Sequence, residues 1–318
     1  MKIGILGTGF MGKMHTQIFK SFSDVDVVGI CGRDHEKTKL VANEFGVKSY
    51  TDPFSLLMEK DIDAIDVCYA TNAHCEFVIE ALKAGKHVFC ETPLTYKFEE
   101  AEMMLDCARK SGKMLMVALY DRFQSQYKYV YDFVKSGQIG KPKVVFINRR
   151  SQPYYASDDI LLNLMIHDFD YVNWLLGTPK SIICKGLSLH EGICDHVSAI
   201  LDYEDTLVML EGSTLMPNSF PFSTSLRIVC EEGAIDLNWK WGDSGPISDV
   251  ILYWNNGKQE QLNIPDYDPY YSECRYFIEC IKGVADPNTL GIESAYNSIK
   301  LAVKAKESLK QDMLRVII

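Results

Sequence analysis

Near its start the chain spaces glycines as Gly7-Thr8-Gly9-Phe10-Met11-Gly12, a GxGxxG pattern that can bring backbone amides against a pyrophosphate. An apolar run precedes it and a helical pattern follows, and this context gives the spacing meaning. Gly7 permits a tight turn, Gly9 lets the chain approach the phosphates, and Gly12 lets helix and strand pack closely. The helix start adds free N–H groups and partial positive charge. Gly7, Gly9, Phe10, Met11 and Gly12 are therefore expected to bind a dinucleotide.

The second strand of such a domain usually ends on an acid that holds the adenosine ribose. Here it ends Ile30-Cys31-Gly32-Arg33-Asp34. Gly32 sits at the acidic position, and Arg33 offers a guanidinium to a 2′-phosphate. Asp34 suits an N-cap for the next helix. The reading leans to NADP and keeps NAD open.

Elsewhere the chemistry is sparser. His167 has an ordinary pKa near neutrality and can act as general acid or base; the competing reading is a helix histidine bonded to backbone. Tyr120, just after a strand end, can relay a proton or pack. Asn148-Arg149-Arg150 ends a long strand and could meet an anion, although exposed strand arginines are commonplace. Tyr154-Tyr155 and Trp239 to Trp241 could stack on sugar rings or line a core. Cys184, His190, Cys194 and His196 match no closed zinc spacing, and core thiols with surface histidines are the simpler account.

The elements that must position these residues fall into two patterns. Up to residue 120, strands (Lys2 to Leu6, Val25 to Cys31, Ala64 to Ala70, Lys86 to Cys90, Met114 to Val117) alternate with helices (Gly12 to Phe22, Glu36 to Phe45, Cys75 to Ala84, Phe98 to Ser111). That rhythm predicts an α/β Rossmann domain, a doubly wound parallel sheet. From 121 to 318 it changes. Helices at Gln124 to Ser136 and Asp159 to Leu176 flank a strand at Lys143 to Ser151, and six strand-like runs lie between Ser181 and Trp254. Helices at Tyr270 to Lys282 and Ile292 to Leu309 close the chain. This predicts an α+β domain with a large, mostly antiparallel open sheet for substrate binding and oligomerisation. Val208, Leu210, Leu226 and Ile228 alternate on a face with few helices left to cover it, so a homodimer or homotetramer is expected.

Bulk properties narrow the partners. The 318 residues carry a formal net charge of -10, which argues against nucleic acid. No apolar stretch reaches membrane-spanning length, the best candidate carrying His167, Asp168 and Asp170. Met1 and Lys2 lead straight into a strand without a leader pattern, and ten scattered cysteines without CxxC suit reduced thiols; a cytoplasmic protein is expected.

At Ala70-Thr71-Asn72-Ala73-His74 and at Ala81 to Pro93, with its Gly85-Lys86-His87-Val88-Phe89-Cys90-Glu91-Thr92-Pro93, the sequence resembles the Gfo/Idh/MocA family, the glucose-fructose oxidoreductase and inositol dehydrogenase group. Arg122-Phe123, Asn163 to His167, Trp174 to Gly177 and Glu232-Gly233 extend the resemblance over essentially the whole chain. It implies an NAD(P)-dependent oxidoreductase moving a hydride between the nicotinamide and a sugar, polyol or related carbinol. Thr71, Asn72, His74, Glu91, Thr92 and Pro93 would border the cofactor, and Asn148-Arg149-Arg150 the cleft. His167 matches a histidine four residues after an Asp, a spacing that sets both on one helix face. The family's Lys and Asp are here Thr92 and Asn163, and neither can carry a charge. Oxidoreduction with His167 as proton carrier, helped by Asn163, Thr92 and Tyr120, leads. Cofactor-retaining glycoside cleavage by transient oxidation and non-catalytic sugar or dinucleotide sensing stay open. No metal is implied.

Overall fold

In a computed structural model, residues 1–153, 159–189, 194–287, 290–311 and 313–318 are described. The chain divides into two compact units, Met1–Tyr120 with Asp268–Ile299, and Asp121–Tyr267 with Lys300–Ile318.

The first unit opens with β1 (Lys2–Leu6), α1 (Phe10–Ser21), β2 (Asp26–Cys31), α2 (His35–Phe45), β3 (Lys48–Tyr50) and α3 (Pro53–Leu57). It continues with β4 (Ala64–Val67), α4 (His74–Lys83), β5 (His87–Cys90), α5 (Phe98–Ser111) and β6 (Leu115–Val117). The six strands are all parallel in the order β3-β2-β1-β4-β5-β6, the doubly wound arrangement whose chain direction reverses beside β1. β1 and β4 are covered on both faces, so they read as continuous apolar runs. Asp66 breaks the run on β4 and is fully buried. Local chemistry sets the helix ends. Asp34 caps α2 by accepting the Lys37 amide at 3.0 Å, and Gly46 ends it at φ 63°. β3 and α3, absent from the sequence reading, are three and five residues long, too short to show a period.

The second unit contains α6 (Ser125–Lys135), β7 (Pro142–Arg150), α7 (Ile160–Asn163), α8 (Ile166–Leu176), β8 (Ser181–Leu187), β9 (His196–Asp202) and β10 (Leu207–Ser213). β11 (Ser223–Cys230), β12 (Gly233–Gly242), β13 (Gly245–Trp254) and β14 (Gln259–Leu262) follow. Next come α9 (Pro269–Ile281), α10 (Ile292–Lys310) and β15 (Val316–Ile317). The nine-stranded sheet runs β14-β13-β12-β11-β7-β10-β9-β8-β15, antiparallel except for β7 beside β10.

Three expectations need correction. The closing helices do not both belong to the second unit: α9 and the start of α10 group with the first. Residues 159–176 form two helices rather than one, the chain turning at Leu164 and Met165, where the Met165 side chain fills the space beside Gly212. Val208, Leu210, Leu226 and Ile228 are buried within the chain itself. The open face is the opposite one, where Phe146 pairs with Met209 and Met209 with Ile200, which is 44% exposed.

Candidate active site

The glycine turn is built by close approach. Gly7 takes φ 138°, its amide bonds Cys31 O at 2.8 Å, and a Cβ on it would lie 2.6 Å from Cys68 O. A Cβ on Gly12 would lie 2.1 Å from Gly7 O. Both must be glycine for the protein's own sake. Gly9 differs: it has extended backbone, and a Cβ there meets nothing within 4 Å. Its smallness leaves room for something outside the chain. Gly9 is also the N-cap of α1, no side chain caps that helix, and its first turn carries no acid. The first-turn amides of α1 have no acceptor within the helix, and an anion at the helix start can accept from them. Phe10 itself is 76% exposed.

At the end of β2, a Cβ on Gly32 would lie 2.4 Å from Thr8 Oγ1 and 2.8 Å from Thr38 Oγ1. No carboxylate can replace it without moving both threonines. Arg33 is exposed beside it, and Asp34 is occupied as a helix cap.

The ends of β4 and β5 hold the other residues expected at the cofactor. Thr71 and Asn72 lie in a one-turn 3-10 helix, Thr71–Ala73, half-buried and exposed respectively. His74 is buried; its Nδ1 faces Pro93 O at 3.1 Å and Leu94 O at 3.2 Å, and its Nε2 faces Tyr69 O at 2.9 Å. Burial lowers its pKa, with the backbone carbonyls opposing. The ring thus ties two loops together instead of presenting itself to a ligand. Glu91 accepts the Thr92 amide at 3.1 Å, and the Thr92-Pro93 bond is cis. Thr92 Oγ1 is buried without a hydrogen-bond partner among the described residues, a hydroxyl with its bonding capacity unspent. Tyr120, in a short 3-10 helix, packs its ring 4.9 Å from that of Tyr270.

In the second unit, His167 lies in the first turn of α8 and Asn163 ends α7, so the one-helix spacing expected for them does not apply. Asn163 Nδ2 donates to Asp159 O at 3.0 Å. His167 Nδ1 is buried with no hydrogen-bond partner among the described residues. Burial pushes the His167 pKa down and Arg149 lowers it further, Asp121 opposing, to about 4. At neutral pH it is an uncharged imidazole, able to accept a proton.

Arg149 was readable only as an exposed anion contact. It is instead buried, on the inner face of β7 beside Val145 and Ile147. Its Nε donates to Asp168 Oδ1 at 3.0 Å, and its Nη2 donates to Asp121. Arg122 grips Asp170 with two bonds of 2.7 Å and lies 5.1 Å from the Trp174 ring. Burial raises the Asp168 pKa, against Arg149, to about 6. The inward alternation Val145, Ile147, Arg149 was the available signal that this arginine is internal. Arg150 pairs with Glu211 at 2.8 Å and, with Asn148, Ser223 and Lys240, lines a shallow recess at the sheet surface.

Of the other expectations, Trp239 is buried and Trp241 is 58% exposed, while Tyr154-Tyr155 lie outside the described residues. His190 also lies outside them, and the Cys194 thiol points at His196 O, 3.4 Å away.

Comparison with known proteins covers both units. The Gfo/Idh/MocA family model described as an oxidoreductase with an NAD-binding Rossmann fold matches residues 1–119, and that of the Gfo/Idh/MocA C-terminal domain matches 127–236. A myo-inositol 2-dehydrogenase of Thermotoga maritima is 26% identical over 98% of this chain and 97% of its own length. A scyllo-inositol 2-dehydrogenase (NAD(+)) of Bacillus subtilis is 24% identical over 98% and 95%. An oxidoreductase structure from Agrobacterium radiobacter in complex with NAD+, L-tartaric acid and magnesium has the same fold, with TM-score 0.86 at 20% identity, covering 99% of this chain and 98% of that one.

Proposed function

The chain belongs to the Gfo/Idh/MocA oxidoreductase family, and we propose on that premise that it moves a hydride between a nicotinamide dinucleotide and a sugar, polyol or related carbinol. The observation that carries this is the uncapped start of α1, where Gly9 alone among the three motif glycines is kept small by nothing in the protein. Its smallness has a use only if a ligand comes close, and the free amides make that ligand an anion.

Bound nicotinamide supplies the hydride acceptor or donor. The chain supplies proton handling and orientation. His167, uncharged at neutral pH, accepts the hydroxyl proton as the carbon loses its hydride. Thr92 offers its unpaired hydroxyl to the substrate or ribose, and Asn163 and Tyr120 orient the reacting hydroxyl. We further propose NADP(H) over NAD(H), because Gly32 excludes a ribose-binding carboxylate and Arg33 stands free to meet a 2′-phosphate. The open sheet face around Phe146, Met209 and Ile200 is proposed to pair two copies, and ten free cysteines fit a cytoplasmic protein.

The test is a fluorescence titration with NADPH and NADH, followed by a screen of polyols and sugars with wild type and His167→Ala. Binding with turnover that vanishes in the variant is expected. A cofactor that co-purifies and gives no net turnover would replace dehydrogenation with internal oxidation or sensing.

A further inference from the structure

A second group of titratable side chains is buried in the first unit, and of its members the cofactor reading uses only Glu91. His15 on α1, Asp66 on β4 and Glu273 on α9 are each fully excluded from solvent. His15 Nδ1 meets Asp66 Oδ2 at 3.0 Å, and its Nε2 faces Glu91 Oε1 at 3.3 Å. Cys68 Sγ donates to Asp66 Oδ2 at 3.3 Å and lies 3.4 Å from His15 Nδ1. Phe89 stacks on the imidazole at 5.4 Å and Phe19 meets its edge at 6.2 Å, so the ring is fixed. Glu91 spends its other oxygen on the Thr92 amide. Contacts thus run from Asp66 through His15 to Glu91 and on to Thr92, the His15–Glu91 step being a charge contact at 3.3 Å and not a hydrogen bond.

We propose that His15, held through one ring nitrogen by Asp66 and through the other facing Glu91, is a positioning residue that sets the Glu91-Thr92-Pro93 turn for dinucleotide binding. This rests on the cofactor reading above. Among the described residues, the Glu91 carboxylate otherwise meets only the Thr92 amide, and His15 is the one cation that faces it. The titratable groups around His15 are Asp66 and Cys68 at the end of β4, Glu91 after β5, and Glu273 and Cys274 on α9, and none of these is a cation. Burial disfavours charge on His15, but Asp66, then Glu91, more than offset it and raise its pKa to about 9. Burial and then Glu91 push the Glu273 carboxyl well up, which disfavours a third negative charge beside Asp66 and Glu91. Burial also raises the pKa of Cys68 and of Cys274, and both thiols stay neutral. When His15 loses its proton, Glu91 faces Asp66 with no cation between them, and the turn loses its anchor.

The experiment measures the dissociation constants of NADPH and NADH from pH 7 to 10, with melting temperatures, for wild type, His15→Gln and the packing control Phe19→Leu. Wild-type affinity is expected to fall as pH rises through about 9. His15→Gln is expected to bind roughly tenfold more weakly at pH 7, a 1.4 kcal/mol effect, with a flat profile. Phe19→Leu should lower the melting temperature and keep the wild-type constant and profile. A folded His15→Gln with wild-type affinity and profile would overturn the proposal. If His15→Gln does not fold, Glu91→Gln substitutes for it: weakened, pH-flat binding supports the proposal and wild-type binding overturns it. Binding by wild type that required added Zn2+ would also overturn it, since His15, Cys68 and Glu91 would then serve as ligands. Failure of wild type to bind either dinucleotide would instead sink the cofactor reading, and this proposal with it.

Discussion

Gly9, Gly12 and His167 separate what the protein needs in order to fold from what it needs in order to act. Gly12→Ala forces a Cβ against Gly7 O and should cost enough stability to lower the soluble yield or the melting temperature sharply. Gly9→Ala meets nothing in the protein, so its melting temperature should stay at the wild-type value. Its dinucleotide affinity should still fall by about tenfold or more, because the new methyl occupies the ligand's space. For His167 the sign matters. Burial, then Arg149, hold its pKa at about 4, so the base form persists well below the usual histidine range. The acid limb of kcat/KM should therefore lie near pH 4 and not near 6.5; a limb at 6.5 would show a histidine that is solvated or paired in the working enzyme.

Among the elements, β7 and α8 depend on each other through buried charge. Removing Arg149 strands Asp121 and Asp168, and Arg149→Met should cost about 3–5 kcal/mol in a urea melt. A loss under 1 kcal/mol would mean that water already reaches the pair. These elements also show what a sequence can reveal. The parallel strands were legible because a strand covered on both faces is an apolar run closed by a turn, and GxGxxG named the turn between β1 and α1. The capping role of Asp34 was legible from its place before a helix. Arg149 was not, because adjacent Asn148 and Arg150 face the other way and made the triplet look exposed. His15, Asp66 and Glu273 were missed for another reason: each is one polar residue in an apolar pattern, and His15 and Asp66 lie 51 residues apart in the chain. The break between α7 and α8 was invisible because no glycine or proline marks it in the sequence; it falls where Met165 packs beside Gly212.

For the molecule as a whole, stability should follow the buried His15 and the half-buried His167 in opposite directions. His15, whose folded pKa is raised to about 9, contributes stability that is complete below pH 6.5 and is lost as pH climbs through 9. His167, depressed to about 4, works against folding as pH falls below 6.5 towards 4. The melting temperature should peak near pH 6.5, and His15→Gln should flatten the alkaline side only. The open sheet face makes a separate claim. Light scattering should give a mass of at least two chains, and Phe146→Glu with Met209→Glu should reduce it to one; a wild-type monomer at micromolar concentration would contradict the proposed pairing.

The most direct measurement of the central claim is dinucleotide binding by the purified wild-type chain, followed through quenching of its four tryptophans as NADPH or NADH is added. Saturable binding, tighter for NADPH and weakened by Gly9→Ala without loss of fold, is the predicted result. Binding of neither dinucleotide, or equal binding by Gly9→Ala, would contradict the reading of the α1 N-terminus as a cofactor cradle.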